Sequence, residues 1–165
     1  VIILDFEKIV SDISPETGLK VQEVETMFGR SKSEVPIVIA EDSHLLNKLI
    51  NDSLTKAGYV NIHRTEDGLE AWEYITQAVE DGDLDKKVQL VITDIEMPRM
   101  DGHRLIKMIK SDDKTKDIPV VVFSSLVNDE MRIKGEQLGA DAQLSKPEIG
   151  NLVREIDRLL ADYNK

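Results

Sequence analysis

The fold is decided by one stretch, Val88-Gln-Leu-Val-Ile-Thr93-Asp94-Ile-Glu-Met-Pro98-Arg-Met-Asp-Gly102, in which an apolar run ends abruptly on a carboxylate. Short Val/Ile/Leu runs of this kind are typical of parallel strands that are buried on both faces. We therefore predict a strand over 88–93, with Asp94 at the point where the chain leaves the core. The residues that follow favour turns that return the chain into a helix. Taken alone, Asp94 is equally compatible with a simple turn cap.

Short apolar runs alternate with longer amphipathic segments on both sides of this stretch. The other strands are predicted at 37–40, 59–62, 118–123 and 141–144, and the helices at about 46–57, 67–80, 102–110, 128–138 and 149–160. Parallel neighbours need crossover connections, which these helices supply. We expect an α/β fold, a doubly wound five-stranded parallel sheet of the flavodoxin-like order 2-1-3-4-5, with helices on both faces.

Composition excludes several classes of function. The 165 residues suffice for one domain with a sizeable core and a short appendage. Cysteine is absent, which excludes disulfides, thiolate metal sites and cysteine nucleophiles. The net charge of -11 argues against binding to nucleic acid or to an anionic membrane surface. No apolar stretch reaches the ~20 residues that span a bilayer, so we expect a cytoplasmic protein without direct membrane insertion.

The first 34 residues read as an appendage to the main domain. An apolar strand is predicted at the start, in Val1-Ile-Ile-Leu4, and Ser14-Pro15-Glu16 has the pattern of a helix start. Residues 30–34 are polar and are predicted to form a linker. Because the chain opens inside an apolar run, we expect it to be a piece of a longer protein with an N-terminal strand/helix extension.

Chemically useful side chains follow four of the predicted strands. Glu41-Asp42 follows the first strand, Asp94 the third, Ser124 the fourth and Lys146-Pro147 the fifth. In an open α/β sheet, ligands bind beyond the carboxyl ends of the strands, where the strand order reverses. With the order 2-1-3-4-5, strands one and three are neighbours at that reversal. We therefore expect the three carboxylates to share a small volume.

Three crowded carboxylates repel one another unless they take up a proton or a cation. Hard oxygen ligands without His or Cys favour Mg²⁺, which often completes its shell with phosphate oxygens. Lys146 would supply positive charge and Ser124 a hydroxyl donor for a phosphoryl group. Asp94 is itself a competent phosphoryl acceptor, because a carboxylate can form an acyl phosphate.

Each of these residues also has a simpler explanation. Glu41 and Asp42 could be helix N-terminal acids favoured by the helix dipole, and Ser124 could be an ordinary loop residue. Lys146 could be a solvated surface lysine. The three histidines lie on different predicted elements without ligand spacing, and we expect them at the surface or in caps; they are His44, His63 and His103.

Residues 35–162 resemble the receiver domain of two-component response regulators. The resemblance rests on the strand-end acids, the Asp94-Ile-Glu-Met-Pro98-Arg-Met-Asp-Gly102 signature, the hydroxyl residue and the Lys-Pro pair. It implies that Asp94 is the phosphoacceptor and that Ser124 and Lys146 bind the phosphoryl group. It also implies a Mg²⁺ site formed by Glu41, Asp42, Asp94 and the backbone carbonyl of Glu96.

Three further positions are singled out by the same resemblance. Pro147 is a cis-proline candidate, because the Lys-Pro bond of the family is usually cis. Gln143 occupies the switch position, where the family often has Tyr or Phe, which puts aromatic-switch signalling in question. Glu96 occupies a position that tunes the lifetime of the phosphoryl group in the family.

Residues 3–10 are similar to the closing strand of CheW-type chemotaxis adaptors. An adaptor followed by a receiver is the arrangement of CheV-type coupling proteins, so 1–34 is predicted to be a CheW-like remnant plus linker helix, and 35–165 the receiver. The implied function is phosphoryl acceptance from a chemotaxis histidine kinase, with modulation of receptor–kinase coupling or service as a phosphate sink. Chemoreceptors are further expected partners.

Under this interpretation the chain is not an enzyme, beyond its own phosphorylation and dephosphorylation. Two alternatives stay open from the sequence. One is an aspartyl-phosphate phosphatase-like hydrolase, for which Glu96 is a poor stand-in for the second acid. The other is a constitutive scaffold that does not respond to phosphorylation.

Overall fold

The structure, a computed structural model, describes residues 31–125, 128–146 and 148–163. The predicted strand/helix extension and CheW-like remnant fall almost wholly on residues 1–30 and lie outside the described residues. The cis-proline candidate Pro147 also lies outside them. No helix in the described ranges is long and apolar enough to cross a membrane.

Five strands and five principal helices alternate along the described chain. The strands are β1 (Ile37–Ala40), β2 (Ile62–Thr65), β3 (Leu90–Thr93), β4 (Val120–Ser124) and β5 (Ala142–Ser145). The helices are α1 (His44–Lys56), α2 (Gly68–Glu80), α3 (Gly102–Ser111), α4 (Asp129–Leu138) and α5 (Ile149–Tyr163). A 3₁₀ turn at Lys32–Glu34 precedes β1, and a single helical turn at Leu84–Lys87 precedes β3.

All four strand pairings are parallel, and the strands lie in the order β2-β1-β3-β4-β5. The predicted doubly wound α/β fold and its strand order are confirmed. Ala40 of β1 pairs with Thr93 of β3, and Ile37 pairs with Leu90. Since β1 and β3 run in register, the residues that follow their carboxyl ends emerge side by side.

The sheet separates two apolar cores, because successive side chains of a strand point to opposite faces. In β1, Ile37 and Ile39 belong to the core under α1 and α5, whereas Val38 and Ala40 belong to the core under α2 and α3. All four residues of β3 are buried as well. Burial on both faces explains why the central strands lack polar alternation.

The predicted second strand is wrong by three residues. It was expected over 59–62, but β2 begins at Ile62, and Tyr59 instead packs in the core between α1 and α5. The Tyr59 hydroxyl donates a hydrogen bond to Asp157 of α5. The true strand is a sheet edge with two exposed residues, His63 and Arg64, so its sequence lacks the apolar run of the central strands.

Candidate functional site

Three carboxylates converge beyond the carboxyl ends of β1 and β3. Glu41 and Asp42 follow β1 directly, Asp94 follows β3 directly, and each offers a carboxylate oxygen within 4.8 Å of the other two. Glu41 is 2% exposed and Asp94 9%, whereas Asp42 is exposed. The predicted proximity of these three acids is confirmed. We call them the carboxylate cluster.

Backbone N–H groups fix two members of the cluster. The N–H of Ser43, the N-cap residue of α1, donates to Glu41 Oε2 at 3.1 Å. The N–H of Ile95 donates to Asp94 Oδ1 at 2.7 Å. The Asp94 N–H donates to the Ala40 carbonyl at 3.0 Å, which extends the β1–β3 ladder to the acid itself. Both carboxylates are therefore oriented by rigid parts of the fold.

Lys146 is the residue after β5, and its side chain extends over the carboxyl ends of the strands to contact the carboxylate cluster. Its ammonium forms an ion pair with Glu41 and lies 3.2 Å from Asp94 Oδ2. The Lys146 side chain is only 11% exposed, so the alternative of a solvated surface lysine is wrong. The Lys146 N–H also donates to the Ser124 carbonyl at 3.0 Å, which holds the ends of β4 and β5 together.

The charges of the cluster do not cancel. Three carboxylates and one ammonium leave two negative charges in a partly buried volume. Burial raises the pKa of Glu41 above its ordinary value; hydrogen bonds from Lys146 and the Ser43 N–H oppose this rise, and the neighbouring Asp94 adds to it. An all-oxygen donor set with this charge suits a hard divalent cation such as Mg²⁺.

The other predicted site residues lie in different surroundings. Ser124 ends β4 and is 1% exposed, whereas the Glu96 side chain is exposed in the β3–α3 loop. Gln143 lies on β5 and turns toward α4, where its Nε2 donates to the Arg132 carbonyl at 2.8 Å. At the switch position the chain thus has an amide tied to α4.

Sequence analysis missed an ion pair that ties the β3–α3 loop to α2. Arg99 Nε lies 2.7 Å from Asp67 Oδ2, and Nη2 lies 3.2 Å from Oδ1. Asp67 is also the N-cap of α2, since its side chain accepts a hydrogen bond from the Glu70 N–H at 2.9 Å. The two partners are 32 positions apart, so no local pattern could pair them.

A second missed group is a buried amide under the first helix. Asn47 Nδ2 donates to the Glu41 and Thr65 carbonyls, each at 3.0 Å, and Asn47 Oδ1 accepts from Arg64 Nε at 2.6 Å. Leu49 has the helical spacing of a buried residue, but it is 50% exposed. A buried Asn in a helix is the signal that points to such a bridge.

The histidines divide into two surface residues and one buried one. His44 is exposed, and His63 stacks on Tyr74 with a centroid separation of 3.7 Å. His103 is 4% exposed and lies inside α3, whose N-cap is Asp101, so its expected position at the surface or in a cap is wrong. It belongs to the buried face of α3, and burial lowers its pKa, with the positive charge of Lys134 adding to the effect.

The fold and the cluster agree with the comparisons to known proteins. Residues 37–157 match the family described as response regulator receiver domain. The chain belongs to this family. Receiver domains are phosphoacceptor modules that generally bind Mg²⁺ through acidic residues, and this chain has an acidic cluster formed by Glu41, Asp42 and Asp94.

Similar proteins include chemotaxis proteins of Helicobacter pylori. CheV3 is 30% identical over 161 residues, which cover 96% of this chain and 50% of CheV3. The chain therefore spans about half the length of this relative. CheY1 is 29% identical over 119 residues, which cover 72% of this chain and 90% of CheY1.

Solved receiver structures have the same fold. The phosphorylated cyanobacterial phytochrome response regulator RcpA is 27% identical, with a TM-score of 0.63 over 73% of this chain and 87% of RcpA. The signal receiver domain of a histidine kinase from Syntrophus aciditrophicus is 26% identical, with a TM-score of 0.67 over 78% of this chain and 91% of that one.

Proposed function

We propose that this receiver domain accepts a phosphoryl group on Asp94 from a histidine kinase in a Mg²⁺-dependent reaction. The observation that carries the proposal is the meeting of three carboxylates and a nearly buried lysine at one sheet edge. Asp94 has a fixed backbone donor and the lysine beside it, as Glu41 also does, and Asp94 is in addition the acid that begins the signature at 94–102 on which the resemblance to receiver domains rests. It therefore has the surroundings of an acceptor rather than of a simple turn cap.

Four groups would hold Mg²⁺ in this proposal: Glu41, Asp42, Asp94 and the backbone carbonyl of Glu96. Their fit rests on the hard oxygen donors and on the two uncompensated negative charges of the cluster. When bound, Mg²⁺ neutralises charge on the phosphoryl oxygens. It would also relieve the repulsion that the buried carboxylates exert on one another.

The proposed transfer needs little chemistry from the protein beyond positioning and electrostatics. An Asp94 carboxylate oxygen forms a bond to phosphorus while the P–N bond of a phosphohistidine breaks, and the electron pair of that bond stays on the imidazole nitrogen. Lys146, 3.2 Å from Asp94 Oδ2, donates to the transferred phosphoryl oxygens. The Ser124 hydroxyl is proposed as a second donor to them.

The partner we propose is a chemotaxis histidine kinase in the cytoplasm. The similarity to CheV3 and CheY1 supports a role in chemotaxis. Because the chain spans half of CheV3, the modulation of receptor–kinase coupling, with chemoreceptors as further partners, is proposed for the longer protein rather than for this domain alone. Service as a phosphate sink requires only the receiver domain.

The test is the intact mass of the protein after incubation with a phosphoramidate, with and without Mg²⁺. We expect a Mg²⁺-dependent gain of one phosphoryl group in the wild type and none in Asp94→Asn. Asp113→Asn is the matched control, because its side chain is 94% exposed and lies in the connection between α3 and β4, outside the carboxylate cluster. Phosphorylation of Asp94→Asn at the wild-type rate would overturn the assignment of the acceptor.

A further inference from the structure

The β3–α3 loop contains a residue in an unfavourable backbone conformation. Arg99 has a φ of 62°, and it is the non-glycine residue with positive φ in the described ranges. Only Gly, and to a smaller degree Asn and Asp, adopt this left-handed conformation readily. Such conformations persist where surrounding contacts hold them, and they concentrate at functional sites.

Asp67 supplies the contact that holds Arg99. Its carboxylate is 5% exposed and receives both Nε and Nη2 of the guanidinium, a bidentate geometry that fixes orientation as well as distance. Asp67 is itself immobilised, because it is the N-cap of α2. The loop is therefore tied to the start of a helix that packs against the sheet.

A backbone contact between the neighbouring residues reinforces the ion pair. The Gly68 N–H donates to the Met100 carbonyl at 3.0 Å. A Cβ at position 68 would lie 2.5 Å from that carbonyl oxygen, so only glycine allows the approach. Two consecutive residues of the loop are thus joined to two consecutive residues at the start of α2.

The other end of the loop is fixed at the carboxylate cluster. Asp94 is bound to β1 through its N–H, and the Ile95 carbonyl accepts from the Gly102 N–H at 2.8 Å. Glu96 lies between these fixed residues and the fixed pair at Arg99 and Met100. Its backbone position is therefore restrained from both sides.

We infer that Arg99 is a positioning residue for the Mg²⁺-dependent reaction, because its ion pair with Asp67 sets the loop that presents the Glu96 carbonyl to the cation. The inference rests on the proposed function and assigns a supporting role to two residues outside the site itself. Neither residue touches the cation or the phosphoryl group. They raise the Mg²⁺ affinity by fixing the conformation of the β3–α3 loop before the cation binds.

The test measures Mg²⁺ affinity by titration calorimetry and the Mg²⁺ dependence of phosphorylation by phosphoramidate. Arg99→Asn tolerates the left-handed conformation but loses the ion pair, and we expect about 10-fold weaker Mg²⁺ binding, as for loss of other groups that orient a metal ligand. The phosphorylation rate at saturating Mg²⁺ should stay near that of the wild type. Arg99→Lys keeps the positive charge without the bidentate geometry. Its Mg²⁺ affinity should therefore lie between those of the wild type and Arg99→Asn.

A double-mutant cycle identifies the partner. Asp67→Asn retains an N-cap residue, and the Asp67→Asn/Arg99→Asn protein should bind Mg²⁺ no more weakly than either single variant. Arg158→Asn is the matched control, because it also removes an Arg–carboxylate pair, that with Glu155, but on α5. It should leave Mg²⁺ affinity unchanged.

Equal Mg²⁺ affinity in Arg99→Asn and the wild type would overturn this inference, as would additive losses in the cycle. Those results would leave phosphorylation of Asp94 intact. Failure of the wild type itself to take up a phosphoryl group would instead overturn the proposed function, so the two failures are distinguishable.

Discussion

The carboxylate cluster and the α4–β5 region lie on the same sheet but differ in how deeply their residues are buried and in how many contacts fix their side chains. Glu41 and Asp94 are almost fully buried, and each is fixed by a backbone donor and by Lys146. In α4, by contrast, Gly135 is the buried residue, and all four residues of β5 are half-buried. One side-chain hydrogen bond, from Gln143 to Arg132, joins the strand to the helix there.

The difference indicates where the domain can rearrange at low cost. A region with few buried apolar contacts opens or shifts more easily than one held by buried polar networks. We therefore expect the chemistry to occur in a pre-formed site, and the structural response to occur in the α4–β5 region. Three stability measurements test this contrast, and the largest effects are expected at the cluster.

Replacing Lys146 by Met should have the largest effect. The substitution removes the positive charge and leaves three carboxylates without their ammonium, which should lower the free energy of unfolding by about 3 kcal/mol without Mg²⁺. Urea denaturation at pH 7 measures this change. Addition of Mg²⁺ should stabilise the variant more than it stabilises the wild type, because the cation then supplies the missing charge.

Lys48→Met provides the control for this prediction. Lys48 pairs with Asp52 on the exposed side of α1, with side chains that are 66% and 48% exposed. Exposed pairs contribute about 0–1 kcal/mol. A loss at Lys146 no larger than the loss at Lys48 would contradict the idea that the cluster is an electrostatically linked unit.

Replacing Glu41 by Gln should have a smaller effect of opposite sign. The substitution removes one of the three acids and leaves Lys146 paired with Asp94, so the repulsion between negative charges in the cluster is reduced. We expect the free energy of unfolding at pH 7 without Mg²⁺ to rise, by less than it falls in Lys146→Met, because the neutral amide avoids the burial cost that raises the pKa of Glu41. Mg²⁺ binding should weaken in the same variant, since a ligand is lost.

The pH dependence of the free energy of unfolding provides a second test of the prediction for Glu41→Gln. Glu41 has its pKa raised above 4.5 in the folded protein, so between pH 4.5 and that raised pKa the folded state is more protonated at Glu41 than the unfolded state. The stability from this group is therefore present below pH 4.5 and is lost as pH rises through the folded pKa. Urea midpoints between pH 4.5 and 7 should show this loss in the wild type relative to Glu41→Gln.

The lowered pKa values of His63 and His103 give the opposite slope near pH 6.5, but they are common to both proteins and cancel in the difference. Glu66→Gln is the control, because the Glu66 side chain is 65% exposed. Parallel pH curves for the wild type and Glu41→Gln would contradict the predicted shift.

The smallest effect is expected in the α4–β5 region, from Gly135→Ala. The new Cβ would lie 2.2 Å from Gln143 Oε1, so the amide must move and lose its bond to Arg132. That loss of about 1 kcal/mol offsets the gain of about 1 kcal/mol from alanine in a helix. We expect a net change in stability close to zero, measured by urea denaturation.

The background variant Gln143→Ala separates the two contributions. With the amide removed, Gly135→Ala should stabilise the protein by about 0.5–1 kcal/mol. Gly150→Ala on α5 is the control, because no atom lies within 4 Å of its added Cβ and its effect should be the same in both backgrounds. An equal effect of Gly135→Ala in both backgrounds would show that Gln143 does not restrain α4.

Much of the site could be predicted from the sequence because its chemistry follows strand ends. The apolar runs at 37–40 and 88–93 marked the two central strands, and the acids directly after them had to emerge together once the strands were parallel neighbours. Lys146 followed the same rule at the end of β5. These predictions depend only on local patterns and on one topological rule.

The sequence by itself determined the doubly wound sheet and, once the strand order 2-1-3-4-5 was assumed, the meeting of the acids, because burial on two faces and residues at strand ends leave a local signal. Only the tertiary structure decided the edge strand β2, the burial of His103 and the ion pair between Arg99 and Asp67. These features arise from contacts between residues far apart in the chain. Side-chain pairing across such distances depends on how helices and loops pack, which periodicity and spacing do not encode.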